Sequence, residues 1–267
     1  MDQAAPHTVD SLAADLRALG VRTGDVVLLH SSNKSLGYVA GGAQAFVQAM
    51  LDVLGPDGTL AVPTHVSDNS DPAGWQNPPV PESWWPVIRH QAPGFDPAVT
   101  PSRWMGVIAE MVRTWPGARR SAHPWLSFAA VGGQAEAVTA DHRLDDALGE
   151  QSPLGAVYRL AGKILLLGVG HDANTSLHLA EWRQPDPPRG ERGASIRRPD
   201  GTSQWVTWTD VLEDESDFEE LGAAFEKEVG AGVGPVGSAT ARLMSQRAAV
   251  DFAVDWIKAN RQGSAST

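Results

Sequence analysis

The chain has 267 residues, of which 42% are hydrophobic, enough to bury a sizeable core as one large domain or as a domain with a smaller subdomain. Its 32 acidic side chains outnumber 21 basic ones, and the formal net charge of -11 repels nucleic acid while favouring a cationic small molecule as partner. With no cysteine, it has no disulfides, thiolate metal sites, iron–sulfur clusters or Cys nucleophile.

The opening "MDQAAPHTVDSLAADLRALG" is acidic and amphipathic rather than basic then apolar, and no stretch approaches the roughly 20 apolar residues of a membrane span. A cytoplasmic protein with no membrane partner is expected. Residues 8–19 read as a helix, with Thr8 as N-cap, Leu12, Leu16 and Leu19 at helical spacing, and Gly20 closing it. "DVVLLH" (25–30) is a short apolar run of the kind a strand buried on both faces shows. The loop "SSNKSLGYVAGG" follows, then a helical stripe Phe46, Val47, Met50, Leu51 and Leu54 up to Gly55, and a second strand "TLAVPTH" (59–65). Helix, strand, helix, strand predicts an α/β fold with a largely parallel sheet.

Residues 67–99, rich in Pro, Asp and Trp and without periodicity, read as a lid or binding loop. Thr100 and Pro101 predict a helix start for 102–114, and further strands are expected at 127–132, 163–170 and, alternating and half-exposed, 203–211. The Gly- and Arg-rich stretch 183–202 is a second excursion. Ser216 with Glu219 predicts a capping box for a helix over 217–229, 237–260 reads as a terminal helix, and the tail after Asn260 as frayed.

Several clusters carry possible chemistry. "HSSNKSLG" (30–37), between a buried strand and a helix, has the small residues and the lysine, Lys34, that suit a phosphate-binding turn, although it matches neither a Walker loop nor GxGxxG; an ordinary strand-to-helix turn remains open. His178 and Glu181 stand three apart on one helical face with Thr175, the spacing of an imidazole general base held by a carboxylate; a histidine merely closing a helix terminus is the alternative. His171, His178 and Glu181, with Asp172, could instead ligate a metal, as in a metal-dependent hydrolase, yet the HExxH pair is missing. Ser31 or Ser32 could serve a Ser–His–Glu hydrolase, but the chain has no G-x-S-x-G elbow. His123 with Pro124 and Ser127 could line a channel or simply stiffen the approach to a strand, and Ser152 with Pro153 suits a helix start.

Taken in order, "LLHSSNKSLG", "GTLAVPTHVSDNSDP", "TPSRWMGVIAEMVRTWPGARRSAHPWLSFAAVG", "SPLGAVYRL", "KILLLGVGHDANTSLHLAE" and "DFEELGAAFE" resemble the aminoglycoside 3-N-acetyltransferase family over nearly the whole chain. The resemblance implies a three-layer α/β/α sandwich around a mostly parallel sheet. A single domain over 1–267 is expected, with a smaller C-terminal part and with the inserted loop 67–99 and the excursion 183–235 forming the acceptor side. It implies direct acetyl transfer from acetyl-CoA, with no metal, to the 3-amino group of a 2-deoxystreptamine antibiotic, hence antibiotic resistance; a relative acting on another amine, or one that binds without catalysis, is the alternative. It makes His178 the base, assisted by Glu181 and Thr175. It assigns the CoA side to His30, Ser31, Ser32, Leu36, Gly37, Thr100, Ser102, Met105, His123, Ser127, Ser152, Leu154 and Gly155. The acceptor ammonium groups fall to Asp68, Asp71, Glu181 and Asp217, with His171 shaping the pocket.

Overall fold

The structure, a computed structural model, describes residues 5–261, so the tail beyond 261 lies outside the described residues. Helix α1 (Val9–Leu19) begins at Thr8, whose Oγ1 accepts from Ser11 N at 3.2 Å, and ends at Gly20 in a left-handed conformation. It leads to β1 (Val26–Ser31), a 3₁₀ turn, α2 (Gly42–Leu54) and β2 (Thr59–Pro63).

The segment from 67 to 99 is built of short 3₁₀ turns and α3 (Trp85–Gln91). It is pinned rather than loose: Asn69 donates to Pro124 O at 3.1 Å and Ser195 O at 3.0 Å, accepts from Ser195 N, and Phe95 bridges to Ile196. Helix α4 (Gly106–Arg113) starts later than the Thr100–Pro101 signal suggests, because Trp104 and Gly106 both hold positive φ (64° and 84°) and a helix cannot run through them. Next come β3 (Arg119–Arg120), β4 (Phe128–Gly132), α5 (Ala135–Thr139), α6 (Pro153–Arg159), β5 (Lys163–Leu167) and α7 (His178–Trp182). The second excursion holds a strand the sequence did not announce, β6 (Arg189–Arg197), paired antiparallel with β7 (Ser203–Val211) in a separate two-stranded sheet.

Helix α8 (Phe218–Glu228) lacks the expected capping box: Glu219 turns instead to Asp172 N, at 3.1 Å. The expected terminal helix over 237–260 is partly sheet, since β8 (Gly232–Val236) and β9 (Ala239–Ser245) form a hairpin that adds to β5 before α9 (Gln246–Asn260) begins at the N-cap Ser245.

The main sheet is mixed, seven-stranded and ordered β3-β4-β2-β1-β5-β9-β8, with a parallel central trio β2-β1-β5 and antiparallel flanks. Alternate residues of each strand face opposite layers. Val27, Leu29, Leu60, Val62, Leu165 and Leu167 pack under α1, α2 and α4, while Val26, Leu28, Ala61 and Phe128 pack under α5, α6, α7 and α9. Each such Leu or Val contributes about 1.5–3 kcal/mol of apolar burial. Among the described residues, no helix is long and apolar enough to cross a membrane.

Candidate active site

In an open α/β sheet the crevice outside the carboxyl ends of the parallel strands is where ligands bind. Here those ends are Leu29, His30 and Ser31 on β1, Pro63 and then His65 after β2, and Val169 after β5, and all of them line one cavity of about 430 Å³. The rest of the wall comes from Trp104, Met105, Ala109, Leu126, Leu148, Asp172, Ala173, Thr175, His178, Glu213 and Glu215.

His178 opens α7, and its ring packs on Phe218 with centroids 4.8 Å apart. Its Nδ1 lies 2.7 Å from Glu181 Oε2; a carboxylate can only accept, so Nδ1 carries the proton and Nε2 keeps a lone pair. Glu181 is 4% exposed and fully engaged, because its Oε1 accepts from Arg261 Nη1 at 2.5 Å and from Asp214 N at 3.2 Å. Arg261 also holds Asp217, through Nε to Oδ2 at 2.7 Å, and Asp214 O at 2.8 Å. The result is a chain of alternating charge, His178–Glu181–Arg261–Asp217, buried at its inner end. Such a chain fixes the imidazole tautomer and stabilises a positive charge formed on the ring.

Around His178 lie further imidazoles held uncharged. Burial, then the proximity of His178, pushes His30 down to about 3, and the same two causes, with His30 adding, push His65 to about 3. Behind them His123 falls to about 3 through burial and, secondarily, through His65, and burial together with His123 takes His142 well below the usual range. His123 Nδ1 accepts from Leu126 N at 2.9 Å, and His142 Nε2 lies 2.7 Å from Ala147 O.

Of the residues singled out in the sequence, the structure brings His30, Ser31, Met105, Thr175 and His178 to the cavity wall. Others have different places. Ser32 caps the strand end, its N–H bonded to Leu167 O at 2.9 Å, while Leu36 is fully buried in the core under α1 and α2 and Gly37 lies against Ser238. Thr100 O receives Arg120, and Ser102 Oγ donates to Glu110 Oε2 at 2.8 Å; although burial opposes it, this bond and those from Arg113 hold the Glu110 carboxyl down at about 2. His123 and Ser127 are buried behind the wall, Ser127 donating to Thr64 O at 2.8 Å. Ser152 is the N-cap of α6, accepting from Leu154 N at 3.1 Å; Leu154 is core, and a Cβ on Gly155 would meet Glu150 O at 2.2 Å, so these three shape a turn and do not face the cavity.

The expected acceptor carboxylates Asp68, Asp71, Glu181 and Asp217 do not line this cavity. Asp71 is clamped by Arg89 and caps a 3₁₀ turn, Asp217 is held by Arg261, exposed Asp68 lies 4.0 Å from Arg103 on a separate cavity, and both oxygens of Glu181 are used internally. His171 is buried under α8, where Gly222 permits its approach, and its Nε2 meets Glu226 at 2.9 Å. It therefore neither faces the cavity nor joins His178 and Glu181, and no group of three metal-ligating side chains is placed to hold an ion among the described residues. The carboxylates that do line the cavity are Asp172, Glu213 and Glu215, and only Asp172 was noticed in the sequence. Glu213 is paired with Arg192. His65 was also missed, although "DVVLLH" and "TLAVPTH" each end an apolar strand run on a histidine, a parallel that points to one sheet edge.

Residues 28–258 match the family described as aminoglycoside 3-N-acetyltransferase. The SPbeta prophage-derived aminoglycoside N(3')-acetyltransferase-like protein YokD of Bacillus subtilis (strain 168) is 44% identical, over 94% of this chain and 93% of its own. Aminoglycoside N(3)-acetyltransferase III of Pseudomonas aeruginosa is 37% identical, over 98% and 97%. The crystal structure of YokD superposes with a TM-score of 0.95 at 42% identity, covering 98% of this chain and 97% of that one. Two further structures superpose at TM-score 0.85 and 32% identity: AAC-IIIb binary with CoASH, covering 98% of this chain and 100% of that one, and AAC-VIa bound to sisomicin, covering 97% and 100%.

Proposed function

Because the chain belongs to the aminoglycoside 3-N-acetyltransferase family, we propose that it transfers the acetyl group of acetyl-CoA to the 3-amino group of a 2-deoxystreptamine aminoglycoside, directly and with His178 as general base. The observation that carries the reading is the His178–Glu181–Arg261 chain, which presents an imidazole with a free Nε2 lone pair to the cavity at the carboxyl ends of β1, β2 and β5. Nε2 accepts the proton of the attacking amine. Glu181 holds the ring and stabilises the imidazolium, and Arg261 holds Glu181 in place. With no cysteine and no serine elbow in the chain, attack by the amine itself needs no acyl-enzyme.

Asp172 and Glu215, which line the same cavity, attract the polycation and hold its other ammonium groups, while Glu213 is spent on Arg192. A site for the acyl end of the thioester is consistent with the lining of the same cavity by Ser31, Met105 and the histidines His30 and His65, whose Nε2 atoms have no partner. The adjoining solved complexes support the two substrate classes, since AAC-IIIb is binary with CoASH and AAC-VIa is bound to sisomicin. Thr175 lines the cavity one turn before His178 and is available to contact either substrate.

The test is acetylation of a panel of 2-deoxystreptamine aminoglycosides by the purified chain with acetyl-CoA, with the acetylated nitrogen assigned by NMR and resistance scored in an expressing host. Acetylation at N3 with raised resistance is expected. Inertness on the whole panel beside efficient acetylation of an unrelated amine would overturn the acceptor assignment and leave the transferase chemistry standing.

A further inference from the structure

Acyl transfer to an amine builds negative charge on the thioester oxygen, and a general base does nothing for that charge. Donors waiting in a water-poor site do, and removing one from an enzyme of this kind costs about 10²–10³ in turnover. Such a donor must line the cavity beside His178, lack a partner in the protein, and remain available while His178 becomes positive.

His30 and His65 meet all three conditions. Both line the cavity. Among the described residues neither imidazole makes a side-chain hydrogen bond, and Nε2 of each is enclosed without a partner. His30 is only 5% exposed, and the His65 ring stands edge-on to Phe128, with centroids 5.3 Å apart. An enclosed N–H without an acceptor is costlier than an enclosed lone pair, so in each ring the proton belongs on Nδ1 rather than on the enclosed Nε2. The neighbouring imidazoles do not qualify. His123 spends Nδ1 on backbone N–H groups behind the wall, and His142 has Ser121 and Ala147 on its two nitrogens. Burial and His178 keep His30 and His65 uncharged, and an uncharged imidazole donates without opposing the imidazolium that forms on His178.

We propose that His30 and His65 are catalytic residues, an imidazole pair whose Nδ1–H groups receive the thioester carbonyl oxygen as it becomes an oxyanion. This rests on the acetyl-transfer reading above. In the step, the amine nitrogen bonds to the carbonyl carbon, the carbonyl π pair moves onto oxygen between the two imidazoles, and the amine proton passes to His178 Nε2. The oxygen then re-forms its double bond, the carbon–sulfur bond breaks, and the departing CoA thiolate takes the proton from His178.

The experiment compares the full chain with His30→Phe and His65→Phe, which keep a ring but no donor, and with His30→Asn and His65→Asn, whose amide N–H falls near the Nδ1 position. Steady-state kinetics are read beside the infrared stretch of acetyl-CoA labelled with ¹³C at the carbonyl and bound to each protein. The expected result is a fall in kcat of about 10²-fold or more for each Phe variant, with KM for acetyl-CoA nearly unchanged and partial recovery in the Asn variants. The carbonyl band should lie at lower frequency on the wild type than in water and move back in the Phe variants. The infrared reading needs only bound acetyl-CoA, so it decides the donor role even if no aminoglycoside is turned over: a wild type that shifts the band yet acetylates no aminoglycoside would indict the acceptor reading, whereas a Phe variant that loses turnover with its band unmoved would overturn the donor role. Phe variants with turnover within about threefold of wild type, a raised KM at constant kcat, or an unshifted wild-type band would each overturn the proposal.

Discussion

Replacing Glu181 by Gln keeps the side chain's shape and removes its charge. In the wild type the carboxylate accepts from His178 Nδ1 at 2.7 Å, from Arg261 at 2.5 Å and from Asp214 N at 3.2 Å, with 4% of the residue exposed. An imidazolium and a carboxylate with charge centres about 4 Å apart at an effective dielectric of about 20 attract by about 4 kcal/mol. Because that attraction exists only once His178 has taken the proton, its loss falls on the transition state and lowers kcat by about 10³. The amide adds a second fault, since it can turn its N–H₂ towards Nδ1 and favour the wrong tautomer. Stability should fall less, by about 1–3 kcal/mol, because Arg261 keeps Asp217 and Asp214 O. The assay is steady-state acetyl transfer with thermal unfolding on the same samples. A Glu181→Gln enzyme with kcat within about threefold of wild type would refute the coupling of charge on Glu181 to the proton on His178.

Buried His30 and His123, held at about 3, titrate near 6.5 once unfolded, so below that value only the unfolded chain takes up protons. Their stabilisation is complete above about pH 6.5 and declines as pH falls towards about 3; each costs about 2 kcal/mol at pH 5 relative to pH 7. Urea unfolding at the two pH values checks this, and a combined loss below about 1 kcal/mol would contradict it. Ser152→Ala should destabilise by about 1 kcal/mol through loss of the α6 cap while KM for acetyl-CoA stays put, read by the same unfolding curves and by kinetics. Glu215→Gln and Asp172→Asn should each raise KM for the aminoglycoside about fivefold at low salt without changing KM for acetyl-CoA; equal effects on both substrates would argue against ammonium binding.

The central strands were legible because "DVVLLH", "TLAVPTH" and "KILLL" are buried on both faces and read as apolar runs. The flanking hairpin was not. Gly232–Val236 is too rich in glycine to show a pattern, and Ala239–Ser245 reads as helix-forming until pairing with β5 overrides the local preference. The His178–Glu181 pair was readable from its spacing, since residues three apart in a helical turn share a face. The acidic wall was not, because charge alone cannot tell a carboxylate that faces a cavity from one already neutralised. Asp71, Asp217 and Glu213 meet Arg89, Arg261 and Arg192 across 18, 44 and 21 residues of chain, while Glu215 reaches the cavity because β7 ends beside it.

The account stands most directly on His178. Turnover and CoA affinity of the wild type and His178→Ala, measured on an aminoglycoside that the wild type acetylates, should show kcat reduced about 100-fold or more with CoA binding nearly unchanged. A His178→Ala protein that still acetylates within about threefold of the wild-type rate would contradict it.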